Sequence, residues 1–183
     1  MAEQARRTTE PGQRAELFGR ALNQWRGPAF ADFADEPFAQ ASIARLEEQR
    51  LSVLEEYAET RLQLGEYGQL AAELQEPTER HPFREGLRAT RMRALYGAGR
   101  LNEALAVYQD VRRHLDDELG LEPGPALVEL HQGMLRRDPA VLPPEVPISA
   151  PRVDDSPRRR TNLPARVTGL IGRSGSLPRC GRC

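Results

Sequence analysis

The sequence predicts an all-α protein, and three observations support that prediction. Ala, Leu, Glu, Gln and Arg are abundant while β-branched residues are scarce, a composition that favours helix over strand. Apolar residues recur at steps of three and four along most of the chain, which is the period of an amphipathic helix. Gly and Pro stand between these segments, where helices end or begin.

The apolar stripes divide the chain into about six helices. Residues 1–12 carry no stripe and are expected to form a disordered lead. The clearest stripe runs through residues 101–119 and includes Ala104, Leu105 and Tyr108. The predicted helices span residues 13–25, 36–64, 66–79, 84–98 and 101–119, with a last helix that begins in EPGPAL and ends near residue 137.

Local chemical signals mark the boundaries of these helices. Gly27 and Pro28 end the first helix, because Gly suits the position after a helix and Pro cannot continue one. Asp35 is a candidate N-cap for the second helix. Pro77 lies inside the third helix and should kink or shorten it, since proline removes a backbone hydrogen bond. Residues 138–183 are rich in Pro and Arg and are expected to form a linker and a disordered C-terminal tail.

Gly65 and Gly99 stand 34 residues apart, each between two helical stripes. A helix–turn–helix unit of 34 residues is the tetratricopeptide (TPR) spacing. In such a unit the turn glycine lets two helices fold back antiparallel, small residues such as Ala104 permit close helix approach, and a proline ends the second helix. Pro82 holds that closing position. The spacing therefore predicts a TPR-like, right-handed stack of antiparallel helical hairpins.

The repeat is imperfect. The corresponding pairs are Leu54–Arg88, Tyr57–Arg91, Ala58–Met92, Leu70–Ala104 and Leu74–Tyr108. The two arginine pairings are poor, and the others keep apolar or small character. Two ordinary helical hairpins that share a spacing are the alternative. The segment GRLNEALAVYQDVRRHL favours the repeat, because it resembles the turn and second helix of the TPR consensus.

A partial unit lies upstream, where RAELFGRALNQWRG resembles the second helix of a repeat whose first helix is missing. A half-repeat cannot bury both faces of its helix. Leu17, Phe18 and Leu22 are therefore expected to be partly exposed and, with Trp25, to form a candidate interaction surface that could support a homodimer. Trp25 and Phe30 could also contact a partner, although residues before Gly-Pro at a helix end more often pack on the neighbouring helix.

Charge is distributed unevenly along the chain. Residues 1–150 hold 18 Arg and 25 acidic residues, a net charge of −7, whereas residues 151–183 hold 8 Arg and 2 Asp, a net charge of +6. Because binding to a phosphate backbone needs clustered positive charge, the helical body is expected to be a poor DNA binder. The basic segment SPRRR lacks interleaved aromatics and is more typical of a solvated linker. Without a secretory or membrane-spanning segment, the chain is expected to be cytoplasmic.

The sequence predicts no catalytic, cofactor or metal site. A Walker phosphate-binding loop needs a lysine, and all 26 basic residues are arginine. The segment GAGRLN lacks the third glycine and the preceding strand of a dinucleotide-binding loop. Cys180 and Cys183 form a C-x-x-C pair, but nothing at a suitable spacing completes a zinc site, so two exposed thiols are expected. No Ser or Cys has a nearby base, and we expect no enzyme.

Four segments together carry a family resemblance: WRGP, HPFRE, GRLNEALAVY and ELGLEPGPAL. They resemble the bacterial transcriptional activator domain of the SARP and AfsR-like antibiotic regulatory proteins, over about residues 13–137. The resemblance implies a TPR-like domain that serves a transcription factor by contacting another protomer, a sister domain or RNA polymerase. In that family a winged-helix domain precedes this one and binds promoter DNA. No such pattern precedes residue 13, so DNA is expected to be reached only through a domain absent from this chain.

The segment RTNLPARVTGLIGR resembles the start of the NTPase domain that larger family members carry, and the chain departs from it with SGSLPRCGRC. The expected function is therefore that of a fragment of a SARP/AfsR-type regulator whose helical domain mediates protein contacts. Two alternatives stay open at this point. One is a free-standing TPR adaptor, and the other is the remnant of a signalling NTPase regulator.

Overall fold

A computed structural model describes residues 1–27, 29–30 and 36–144 of the 183-residue chain. All regular secondary structure within these ranges is helical, which confirms the predicted all-α class. The α-helices are α1 (Ala2–Arg7), α2 (Pro11–Leu22), α3 (Pro37–Gln63), α4 (Tyr67–Glu73), α5 (Gln75–Arg80), α6 (Glu85–Gly97), α7 (Leu101–Leu119) and α8 (Pro125–Arg136). The described helices exceed the predicted six because the chain start is helical and one predicted helix is divided.

The chain start is not the disordered lead that the sequence predicted. Helix α1 lies there and packs on α2, so the expectation that α2 lacks a preceding helix is also wrong. Six residues are too few to form a stable helix alone. Ala5 is fully buried, and Arg6 Nε donates to both carboxylate oxygens of Glu56 on α3, at 2.9 and 3.1 Å. These contacts hold α1 in place.

Helix α2 begins and ends a few residues before its predicted bounds. The Glu10 carboxylate accepts hydrogen bonds from the backbone N–H groups of Gly12 and Gln13, which are free at a helix start. The helix ends at Leu22, ahead of Trp25. Helix α3 then starts with Pro37 as its first residue. The predicted N-cap, Asp35, and also Pro28 lie outside the described residues.

The two repeat glycines adopt the same left-handed turn. Gly65 has φ 73° and Gly99 has φ 77°, a region that side chains disfavour. The same two backbone hydrogen bonds close both turns. In the first turn, Gly65 N–H donates to Leu62 O at 3.0 Å and Glu66 N–H donates to Arg61 O at 3.2 Å. In the second turn, Gly99 N–H donates to Tyr96 O at 2.9 Å and Arg100 N–H donates to Leu95 O at 2.8 Å. The turn between α3 and α4 and the turn between α6 and α7 therefore have the same backbone geometry, as the 34-residue period predicts.

Pro77 divides the helix predicted for residues 66–79, as expected. Helix α4 ends at Glu73, and α5 resumes after Leu74 with Pro77 as its third residue, where a missing N–H costs least. The Thr78 hydroxyl donates to the carbonyl oxygen of Leu74 at 2.8 Å. Pro82 follows the end of α5 by two residues and comes before α6.

Helix α7 has the predicted bounds, 101–119. Ala104, Tyr108 and Val111 on its predicted stripe are buried, and Leu105 is half-buried against the same core. Gly120 ends the helix with φ 63°. The segment Pro139–Val141 adds a 3-10 turn after α8, and Val141 is buried. The helical body therefore continues beyond the predicted boundary at residue 137.

One hydrophobic core joins α3, α4, α6, α7 and α8. Its fully buried members come from every one of these helices: Ala58, Leu62, Leu70, Leu74, Leu87, Met92, Ala94, Ala104, Val111, Leu127 and Met134. Helix α2 packs on α3 and α1 packs on α2, with Ala5 and Phe18 buried. Residues 145–183 of the predicted tail, with the NTPase-like segment and Cys180 and Cys183, lie outside the described residues.

Candidate protein-interaction surface

The α2 surface proposed from the sequence is only partly open. Leu17 and Leu22 are half-buried, as expected for a partly exposed face. Phe18 is 1% exposed, so its inclusion in the surface was wrong. The physical reason is that α2 packs on both α1 and α3. Phe18 points into that junction and borders the same small cavity as Arg6 of α1 and Thr60 of α3.

Trp25 lies against α3 through a contact with Arg50. Its ring is half-buried, and the guanidinium carbon of Arg50 lies 5.9 Å from the ring centroid, within the range of a cation–π contact. Arg50 also forms an ion pair with Glu47 at 3.6 Å. Glu47 in turn accepts a hydrogen bond from the backbone N–H of Ala29 at 3.2 Å. These contacts fasten the end of the α2–α3 connection to the body of α3.

An aromatic patch lies beside this connection, and we define it by Phe30 and Phe38. Phe30 is 52% exposed and Phe38 is 74% exposed. With Ala39 and Ser42 they border a small cavity of about 180 Å³. Contiguous exposed apolar surface is characteristic of protein-binding sites.

Local backbone geometry explains why the patch forms. Phe38 is the second residue of α3 and falls off the buried stripe that starts at Ala39. Phe30 has φ 50°, which is uncommon for a residue with a side chain. The sequence favoured packing of Phe30 on a neighbouring helix over contact with a partner, and the exposure of Phe38 was not predicted. The off-stripe position of Phe38 next to Pro37 was the available signal.

The predicted repeat residues serve packing and turns. Gly65 and Gly99 form the turns, and Ala104 lies fully buried where α6 and α7 meet. Tyr108 is 8% exposed, and its ring stacks on the His131 ring with centroids 3.9 Å apart. None of the described helices is long and apolar enough to cross a membrane. The described ranges also contain no group of three or more His, Cys, Asp or Glu residues that could hold a metal ion.

The geometry defines a class of molecule: an all-α domain of antiparallel helical hairpins with a 34-residue period and an exposed aromatic patch. The chain belongs to the bacterial transcriptional activator domain family, whose family model matches residues 1–135. The match includes α1, which the predicted domain of residues 13–137 left out. The resemblance noted in the sequence is thereby confirmed.

Proteins of similar sequence support the family assignment. The regulatory protein AfsR of Streptomyces coelicolor is 40% identical over 94% of this chain, and the regulatory protein DnrI of Streptomyces peucetius is 41% identical over 82%. The chain spans 17% of AfsR and 57% of DnrI. These relatives are described as regulatory proteins and not as enzymes.

A solved structure confirms the fold. The structure described as Mycobacterium tuberculosis EmbR in complex with a low-affinity phosphopeptide matches 75% of this chain with a TM-score of 0.68 at 33% identity. This chain covers 35% of that EmbR chain. The helical hairpin arrangement is therefore one that known transcriptional regulators of this family use.

Proposed function

We propose that this chain is part of a SARP/AfsR-type transcriptional regulator and that its helical domain works by binding other proteins in transcription activation, without chemistry of its own. Its partners would be a second copy, a sister domain of the full regulator or RNA polymerase, in the cytoplasm. The observation that carries the proposal is the aromatic patch. Phe30 and Phe38 are apolar, largely exposed and adjacent, as the buried centre of a protein interface requires.

The relatives support this proposal through what they are described to do. AfsR and DnrI are regulatory proteins, and the EmbR structure holds a phosphopeptide, so one protein with this fold binds a peptide. Because this chain covers only part of each relative, the proposal concerns the helical domain alone. Its contribution would be contact with protein, while other domains supply the remaining activities.

We further propose that promoter recognition belongs to a different domain. Residues 1–150 carry a net charge of −7, from 18 Arg and 25 acidic residues. Ion pairs also occupy many of these arginines, including Arg6 with Glu56 and Arg84 with Glu48. A surface with this charge repels a phosphate backbone, and paired guanidinium groups are not available to phosphates.

A DNA-selection experiment tests this division of labour. The purified chain would be incubated with random-sequence duplex DNA at physiological salt, and bound DNA would be recovered and sequenced. We expect no enriched motif and any binding to be weaker than about 1 µM, the range of non-specific contacts. Residual binding should fall steeply as salt increases. Recovery of an enriched motif bound at sub-micromolar affinity would contradict the proposal.

A further inference from the structure

A groove between α5, α6 and α7 contains two arginines that are matched to apolar positions in the repeat. It encloses about 360 Å³, and Arg88, Arg91 and Leu95 of α6 lie along it. Arg88 is only 5% exposed and Arg91 is half-buried. We call this feature the arginine groove, defined by Arg88, Arg91 and the α7 residues Ala106 and Val107.

The guanidinium groups of Arg88 and Arg91 have few hydrogen-bond partners. The Nε atoms of Arg88 and Arg91 are buried and have no hydrogen-bond partner among the described residues. Arg91 donates from Nη1 to the Thr78 hydroxyl at 3.1 Å, while within the described ranges no side-chain hydrogen bond or ion pair involves Arg88. Burial lowers the pKa of both arginines below the usual value of a guanidinium group, the direction expected when a charge loses water without gaining a close partner. A buried, unpaired charge is costly to keep.

Arg61, which is also buried among the residues that the structure describes, shows how such a group is normally satisfied. Arg61 is 3% exposed, similar to Arg88. Its Nε donates to Glu66 at 2.5 Å, and its Nη1 bonds to Glu73. It also lies 5.3 Å from the centroid of the Tyr57 ring. Arg61 therefore has partners from its own chain, and the arginines of the groove lack equivalent carboxylates.

Acidic residues stand at the rim of the groove. Glu79, Glu103 and Asp110 line it, and all three already have partners. Those partners are Gln75 for Glu79 at 3.1 Å, Arg100 for Glu103 at 2.5 Å, and Arg113 for Asp110. The groove thus has positive charge along its buried part and negative charge around it. Such a pattern repels a polyanion and accepts one negative group with positive neighbours.

We propose that the arginine groove binds a single acidic side chain of a partner protein, flanked in the partner by basic residues. The carboxylate would accept hydrogen bonds from the guanidinium groups of Arg88 and Arg91, as arginine readily provides. The flanking cations would meet the acidic rim. Apolar side chains such as Leu95 and Val107 would contact the stem of the inserted residue. This proposal rests on the proposed function, because it supplies a site and a partner chemistry for the same protein contacts.

A comparison of the two repeat units supports the arginine groove as a binding site by a separate observation. Arg88 and Arg91 stand where the first unit has Leu54 and Tyr57. Apolar residues at those positions would pack without the cost of a buried charge. A fold that retains two arginines with unpaired Nε atoms there has given up stability at one place, which is typical of binding sites.

A peptide titration tests the proposal. The probe is acetyl-Lys-Ala-Glu-Ala-Lys-amide, and its matched control replaces Glu by Gln, which removes the carboxylate alone. Binding to the whole chain would be followed in ¹H–¹⁵N spectra at the assigned Nε–H signals of Arg88 and Arg91. We expect saturable shifts with the Glu peptide and at least tenfold weaker binding of the Gln peptide. Equal binding of the two peptides, or no shift at either arginine, would overturn the proposal.

Two variants complete the test. Arg88→Met keeps the side chain's length and should weaken binding of the Glu peptide at least tenfold. Arg80→Met removes the same charge from the exposed end of α5 and should leave the affinity within twofold. If the Glu peptide does not bind but the corresponding phosphoserine peptide does, the groove binds phosphate and the carboxylate proposal is wrong. Because no transcription is measured, failure here leaves the activator function to be judged separately.

Discussion

Replacing Phe18 with Ala is expected to lower the free energy of unfolding by about 3–5 kcal/mol, the range for removing a buried aromatic ring. Phe18 is 1% exposed and lies where α2 meets α1 and α3. No neighbouring helix can collapse into the space without breaking other contacts, among them the ion pair between Arg6 and Glu56. Urea denaturation followed by circular dichroism would measure the change.

The adjacent Leu17 provides a matched control for Phe18. Leu17 is half-buried on the same helix, so Leu17→Ala should cost less than half as much as Phe18→Ala. The comparison of the two variants shows whether α2 is packed against its neighbouring helices or forms an exposed edge of the fold. If both substitutions cost less than about 1 kcal/mol, α2 would be the open surface that the sequence suggested, and the packing described for Phe18 would be wrong.

Gly97→Ala is expected to destabilise the fold by about 1–3 kcal/mol, even though alanine is the better helix former. Gly97 is the last residue of α6, and the Tyr67 ring lies against it. A Cβ atom at position 97 would stand 2.6 Å from Tyr67 Cγ and 2.7 Å from Cδ1. Cγ lies on the axis about which the ring turns, so rotation of the ring about the Cβ–Cγ bond leaves the closest contact in place, and relief requires the whole Tyr67 side chain or the backbone to move. The steric cost should exceed the gain of up to about 1 kcal/mol in helix propensity.

A double-mutant cycle isolates this contact. In the background of Tyr67→Ala, Gly97→Ala should be neutral or stabilising, because the ring that causes the clash is gone. Gly68→Ala on α4 is the control, since nothing lies within 4 Å of a Cβ added there, and it should stabilise the helix by a few tenths to about 1 kcal/mol. An unchanged effect of Gly97→Ala in the Tyr67→Ala background would show that the ring is not the cause.

The sequence predicted best the parts of the fold that rest on local patterns. Helix α7 has the predicted bounds because a continuous apolar stripe and a glycine mark it. Gly65 and Gly99 form matching turns because a 34-residue period places them in equivalent positions. The effect of Pro77 was predictable from backbone chemistry alone.

The failed predictions depend on contacts between distant residues. Helix α1 has no apolar stripe, and Arg6 reaches Glu56, 50 positions away, to hold it. Burial of Phe18 follows from the same junction. A pattern read along one helix cannot show what a distant helix covers. The close approach of the Tyr67 ring from the preceding unit to Gly97 is a further contact of this kind.

For the candidate sites, too, the sequence signalled what depends on local patterns and not what depends on contacts between distant residues. Phe30 and Phe38 come together through the connection before α3 and a positive φ at Phe30, neither of which a helical pattern encodes. Arg88 and Arg91 did leave a signal, because they interrupt the apolar repeat. That signal indicated only an irregular position. The buried, unpaired state of their Nε atoms became visible once α5, α6 and α7 were placed around them.

Artificial recruitment in bacteria tests most directly the claim that this domain activates transcription through protein contacts at the aromatic patch. The chain would be fused to an unrelated DNA-binding domain whose site lies upstream of a reporter gene. The control variant is Leu135→Ser, at an exposed apolar residue of α8 with 56% exposure, close to the 52% of Phe30. We expect activation by the fusion and by this control, and loss of activation in Phe30→Ser/Phe38→Ser at equal protein level. No activation by the fusion, or full activation by the double variant, would contradict it.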